Sequence, residues 1–74
     1  MTLYRNLNGS SGITAYEIRD RSIVVEFKHG GRYVYDYDIP GKKEVEEMKV
    51  RAIEGRGLAT YINKNVRQRF ARKL

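Results

Sequence analysis

The chain has 74 residues, no cysteine and a formal net charge of +6, from 15 lysines and arginines against 9 aspartates and glutamates. This length allows one small domain, and the missing cysteines exclude disulfides and thiolate zinc sites. The longest uninterrupted apolar run, at residues 23–25, is far too short to cross a membrane.

The first part of the chain is rich in turn-forming residues, which follow one another from Asn6 to Gly12. We therefore expect residues 1–9 to form a leader, for which flexibility and docking through Leu3, Tyr4 and Leu7 are both open. Residues 10–74 are expected to form the single folded domain.

Three runs of alternating apolar and polar residues predict antiparallel strands at residues 14–18, 23–28 and 33–37. A two-residue turn between the first two strands places the apolar residues of both on one face. The register that follows is Ile18–Ile23, Tyr16–Val25 and Thr14–Phe27.

Two loop lengths compete for the second hairpin. A two-residue turn at Gly30 and Gly31 would place Val25 opposite Asp36, whereas a three-residue loop at residues 29–31 keeps the large apolar residues on one face. We predict the longer loop, with the register Phe27–Tyr33, Val25–Tyr35 and Ile23–Tyr37. The other face is then mostly charged, with an apolar island of Val24 and Val34.

Two helices are predicted after Pro40, which ends the sheet because proline cannot continue a strand ladder. Residues 42–54 place an apolar stripe of Val45, Met48 and Ala52 on one face, for which Ile53 is a further candidate. The glycines at positions 55 and 57 end this helix. Apolar residues at intervals of four predict a second helix from Leu58 to about Phe70. We therefore predict an α+β fold: a three-stranded antiparallel meander with two C-terminal helices packed on one face.

Several short motifs occur in order: Ser10-Ser11-Gly12-Ile13, Tyr16, Val25-Glu26-Phe27 with Gly31, Tyr33-Val34-Tyr35, Ile39-Pro40, then Gly57, Tyr61, Asn63 and Val66-Arg67. Over residues 10–70 this set resembles the KTSC domain, found at the C-terminus of some lysyl-tRNA synthetases and as a stand-alone bacterial protein. The family's function is not established, and RNA binding is the usual suggestion. The resemblance implies this fold and mainly structural roles for Tyr33, Tyr35, Pro40 and Gly57. Gly55 departs from the family, which usually has serine there.

The sequence predicts neither catalysis nor a cofactor. His29 is the only imidazole and lies in a glycine turn, where a catalytic histidine would not be held rigidly. Asp36 and Asp38 have no further carboxylate at metal-ligand spacing. We therefore expect a protein that is not an enzyme and that has no cofactor and no metal.

The positive charge is concentrated at one end of the chain. Residues 1–55 carry nine basic and nine acidic side chains, whereas residues 56–74 carry six basic residues and no acidic one. Such a block indicates an anionic partner, nucleic acid before a membrane surface, and it is equally compatible with a solubilising tail. We predict an RNA-binding face with basic residues on phosphates, a tyrosine on a base and an asparagine on a base edge or sugar. Its residues are Arg56, Tyr61, Asn63, Lys64, Arg67, Arg72 and Lys73. We expect Lys64 and Arg67 to share the outer face of the second helix, Tyr61 to be exposed beside its apolar stripe, and Arg72 and Lys73 to trail from its C-terminal end.

A protein-interaction module is the alternative function. It would use the island of Val24 and Val34 on the uncovered sheet face, or an edge strand. The tyrosines of the third strand could also form a stacking platform, although their register favours the core. No signal peptide is recognisable, so we expect a soluble, cytoplasmic monomer without membrane contact.

Overall fold

The computed structural model of the chain describes residues 1–7, 9 and 11–74. One antiparallel sheet contains, in chain order, β1 (Thr2–Leu3), β2 (Ile13–Ile18), β3 (Ser22–Phe27), β4 (Gly31–Asp36) and β5 (Arg72–Lys73). Helix α1 (Lys42–Glu54) follows β4, and α2 (Leu58–Tyr61) continues directly into a π-helical segment, π1 (Ile62–Val66). The α+β class and the two helical regions are confirmed, whereas the sheet has five strands rather than three.

The two additional strands are short edge strands from the ends of the chain. Thr2 pairs with Tyr16 in β2, and Lys73 pairs with Tyr33 in β4. A strand of two residues is too short to show alternation, so the sequence does not reveal it. The residues of β1 belong to the segment predicted as a leader, while Asn8 of that segment and Ser10 of the opening motif lie outside the described residues.

The first hairpin has the predicted register near its turn and a different one at its far end. Ile18 pairs with Ile23 and Tyr16 with Val25, as predicted, but a β-bulge makes Ile13 rather than Thr14 the partner of Phe27. The bulge brings Ile13 into the core, where it is buried. Burying isoleucine instead of threonine removes more apolar surface from water, which favours the bulged register.

The predicted register of the second hairpin is wrong by two residues. The observed partners are Phe27–Gly31, Val25–Tyr33 and Ile23–Tyr35. Because side chains alternate with a period of two, this even shift leaves the same residues on the core face. Tyr33 and Tyr35 therefore face the helices as predicted, whereas Tyr37 lies beyond the end of β4.

The core lies between one face of the sheet and the helices. The predicted stripe of α1 is confirmed for Val45, Met48 and Ala52, which are all buried in the core, whereas Ile53 is exposed. Tyr4 joins this core from the N-terminal segment, and its hydroxyl accepts a hydrogen bond from the Leu58 N–H at 3.3 Å. This bond connects the start of the chain to the start of α2.

The turn between α1 and α2 depends on glycine. Gly55 ends α1 in the left-handed conformation with φ 76°, and its N–H donates to the Arg51 carbonyl at 2.9 Å. A Cβ atom at this position would lie 2.8 Å from the Cβ of Arg5. Any residue with a side chain would therefore force a shift at this contact, which accounts for glycine here.

The second helix ends at Val66, not near Phe70 as predicted. Arg67 has φ 55° and ψ −121°, and the Arg69 N–H donates to the Val66 carbonyl at 3.1 Å. These values define a type II′ turn with Arg67 at its first central position. The turn returns the chain to the sheet, so that Phe70 packs on Tyr33 from the segment leading into β5.

Candidate nucleic-acid interface

An open groove of about 530 Å³ lies between the β3–β4 hairpin and the segment that follows π1. Its volume is in the range of about 300–1,000 Å³ that is usual for ligand sites. We call it the aromatic groove, and its residues are Gly12, Phe27, Lys28, His29, Gly30, Tyr33, Tyr35, Ile62, Asn63, Arg67, Gln68 and Phe70.

Three partly buried rings form the floor of the aromatic groove around Tyr33. The ring centroids of Phe27 and Tyr33 are 5.6 Å apart, and those of Tyr33 and Phe70 are 4.7 Å apart, both in edge-to-face geometry. Such contacts hold the rings in fixed orientations. Because these rings keep part of their surface exposed, they offer the kind of aromatic surface on which unpaired bases stack.

The charge at the aromatic groove is entirely positive. Among the described residues, Lys28 and Arg67 line it and no carboxylate does. The Lys73 Nζ atom lies 5.4 Å from the centroid of the Tyr33 ring. None of these three residues forms an ion pair with a residue that the structure describes. Their charges are therefore available to an anionic ligand.

The backbone of Arg67 is strained. The first central position of a type II′ turn favours glycine, and a residue with a side chain there costs about 1–3 kcal/mol. Strain of this size is concentrated at functional sites in proteins. The same turn ends the helix and puts Arg67 in the lining of the aromatic groove, instead of on the outer helix face that it was predicted to share with Lys64.

The structure brings together three of the residues predicted to bind RNA. Asn63 and Arg67 line the aromatic groove, and Lys73 lies over one of its rings. Lys73 and Arg72 were predicted to trail from the end of the chain, but both pair with β4 in the sheet. Arg72 is opposite Val34, so it lies on the face turned away from the groove.

The other predicted residues lie elsewhere. Tyr61 and Lys64 line a separate concavity with Glu44 and Glu47, and Arg56 lines a third one with Arg5 and Glu54. The single basic face that the sequence predicts is therefore divided among several parts of the surface.

Tyr61 is half-buried and not the exposed stacking residue that the sequence suggests. The guanidinium carbon of Arg51 lies 5.0 Å from the centroid of its ring. Burial, followed by the nearby charges of Glu44 and Glu47, raises the pKa of its hydroxyl. The concavity around Tyr61 therefore has mixed charge, because Glu47 and Glu44 pair there with Arg51 and Arg69.

The residues for which structural roles were predicted have clear positions. Tyr35 is buried in the core and Tyr33 packs against it. Pro40 follows a cis peptide bond and forms an isolated bridge with Asp36, while Gly57, at φ 78°, begins α2.

Sequence reasoning missed Phe27, Lys28, Gln68 and Phe70 as members of the site. The alternation of apolar residues does place Phe27 and Tyr33 on one face, which is the available signal for the floor of the groove. The approach of Phe70 depends on the turn after Val66, for which the local sequence contains no glycine.

Two surfaces considered for a protein partner differ from the expectation. Val24 and Val34 are only 2% and 1% exposed, so they form no open apolar island. Beside them Arg32 donates to Glu26 at 2.9 Å, and this bond is the main cause of the lowered pKa of that carboxyl group. The edge of β4 that does not face β3 pairs with β5 at Tyr33 and Val34.

Among the described residues no helix has the length and apolar character needed to span a membrane. Within these described residues, no three or more histidines, aspartates or glutamates form a group that could hold a metal ion. Comparisons with protein-family models, curated proteins and solved structures find no match to this chain. The resemblance to the KTSC domain therefore stays a prediction, and the function has to be argued from the geometry.

The hydroxyl of Tyr35 leads to a prediction at alkaline pH. Burial, and secondarily Tyr33, raises the pKa of Tyr35 from 10.0 to about 12. As pH rises through this window the unfolded chain loses this proton first, so the free energy of unfolding falls. After allowance for screening by solvent, we expect a loss on the order of 1–2 kcal/mol, measured by urea unfolding at successive pH values. The loss should be correspondingly smaller in Tyr35→Phe, and an equal loss in both proteins would contradict the prediction.

Proposed function

We propose that this protein is a small, non-catalytic RNA-binding module that binds through the aromatic groove. The observation that carries the proposal is the combination, in one groove, of partly exposed aromatic rings with basic residues and, in the part of the chain that the structure describes, no carboxylate. Unpaired RNA bases stack on aromatic side chains, and flanking positive charge attracts the phosphates.

The residues of the groove have separate roles in this proposal. Lys28, Arg67 and Lys73 bind phosphate oxygens, which contributes affinity without sequence preference. Tyr33 and Phe70 provide aromatic surface for a base. The amides of Asn63 and Gln68 supply hydrogen bonds to base edges or sugars.

The motif resemblance supports the same function from a different direction. The ordered motifs over residues 10–70 resemble the KTSC domain, for which RNA binding is the usual suggestion. A monomer in the cytoplasm, as expected from the sequence, is part of this proposal.

Two double variants with the same change of charge test the site. Lys28→Gln with Arg67→Gln removes two positive charges from the aromatic groove, whereas Arg56→Gln with Lys64→Gln removes two from positions outside it. The measurement is fluorescence anisotropy with a labelled single-stranded RNA of about eight nucleotides. Wild-type affinity should fall steeply between ~50 and ~200 mM salt. Binding releases counterions from the RNA phosphates, and this release is less favourable at higher salt.

We expect the groove variant to bind at least about tenfold more weakly than the wild type, and the second variant to lose less than about threefold. Equal losses of affinity would mean that binding depends on the total positive charge and not on its position. A larger loss in the second variant would mean that RNA binds at the helix face predicted from the sequence and not in the aromatic groove. An affinity that does not change with salt would contradict RNA binding through phosphates.

A further inference from the structure

A smaller pocket of about 240 Å³ adjoins the aromatic groove. The two concavities share Gly12 and Asn63, so they meet at these residues. We call it the polar pocket, and its other residues are Tyr4, Asn6, Ser11, Gly57, Ala59 and Thr60.

The described residues that line the polar pocket are uncharged, and five of the eight carry hydroxyl or amide groups. Within the described part of the chain, the Thr60 hydroxyl and the Asn63 amide make no side-chain hydrogen bond. Both groups are exposed and can donate as well as accept. Neutral groups of this kind suit a ribose, whose 2′-hydroxyl also donates and accepts, better than they suit a phosphate.

Building on the proposed function, we propose that the bound RNA is single-stranded and occupies both concavities. An unpaired base lies on the aromatic groove, Arg67 holds its phosphate, and an adjoining ribose enters the polar pocket after the strand passes Gly12. A paired base cannot reach the aromatic floor, and deoxyribose lacks the hydroxyl that the polar pocket would recognise. The protein should therefore prefer single strands to duplexes and RNA to DNA.

Gly12 allows a steric test of this path. A Cβ atom built on Gly12 meets no atom within 4 Å, and its φ lies outside the range that requires glycine. Gly12→Ala and Gly12→Leu should therefore both fold, which urea unfolding verifies. Gly12→Leu places a large side chain where the two concavities meet, and we expect it to weaken binding of the single-stranded RNA at least about tenfold relative to Gly12→Ala. Equal affinities of the two variants would contradict the proposal that the RNA strand passes Gly12 between the two concavities.

Three nucleic acids of one sequence test what the site recognises: single-stranded RNA, single-stranded DNA and a duplex RNA. We expect the single-stranded RNA to bind about fivefold or more tightly than the DNA, as one additional hydrogen bond allows. Thr60→Val should weaken the binding of the RNA more than that of the DNA, and should therefore reduce this difference.

The outcomes separate this inference from the proposed function. Equal affinity for RNA and DNA would overturn the ribose contact but leave binding at the aromatic groove intact. A duplex bound as tightly as the single strand would contradict the proposal that an unpaired base stacks on the aromatic groove. Absence of binding to all three nucleic acids would overturn the inference and the proposed function together.

Discussion

Arg67→Gly is expected to make the protein more stable and its complex with RNA weaker. Glycine adopts φ 55° without the steric cost that an arginine side chain causes at this position of the turn. The gain is partly offset because glycine also gives the unfolded chain more freedom, so we expect the free energy of unfolding to rise by about 1 kcal/mol. The affinity for single-stranded RNA should fall at least about tenfold, because a phosphate contact is lost.

Arg67→Gln is the matched control, because it removes the charge but keeps a side chain at the strained position. It should weaken RNA binding to a similar degree without the gain in stability. Urea unfolding and fluorescence anisotropy on the same samples measure both properties. A glycine variant with unchanged stability would show that the turn is unstrained. A stabilised glycine variant that binds RNA with wild-type affinity would show that Arg67 does not contribute to RNA binding.

Met48→Ala should have the largest effect on stability. Met48 is fully buried between α1 and the sheet. Truncation of a buried methionine leaves a cavity and costs about 2–5 kcal/mol. A domain of this length has a total free energy of unfolding of about 4–11 kcal/mol, at about 0.05–0.15 kcal/mol per residue. The variant should therefore lose a large part of its stability, measured by urea unfolding.

Val50→Ala is the control on the same helix, because Val50 is 50% exposed. It should change the free energy of unfolding by no more than about 0.5 kcal/mol, since substitutions at exposed positions have small effects. A comparable loss in the two variants would mean that α1 does not cover the core through Met48.

The comparison of sequence and structure is clearest in the two hairpins. A face shared by Ile18 and Ile23 was sufficient to predict the first register near its turn. In the second hairpin, alternation distinguishes the two faces but not a slip of two residues, since both registers bury Val25 and Tyr35. The observed register, with Gly31 opposite Phe27, therefore depended on more than the local pattern.

The candidate site was less predictable than the fold. The spacing of Leu58, Ile62, Val66 and Phe70 fits a continuous helix, and it also fits a helix that stops at Val66 while Phe70 returns to the same core. The structure has the second arrangement, which divides the predicted basic face and places Arg67 beside aromatic residues. The sequence indicated which residues are basic, but not which of them lie together.

The sequence alone determined the α+β class, the buried stripe of α1 and the identity of the core face, because alternation and helical spacing act over a few residues. Only the tertiary structure decided the edge strands, the bulge at Ile13 and the aromatic groove. Phe27 and Phe70 meet at Tyr33 because an unusual turn at Arg67 directs the chain back to the sheet. That contact depends on packing between distant segments, where burial of apolar surface outweighs the local cost of the strained turn.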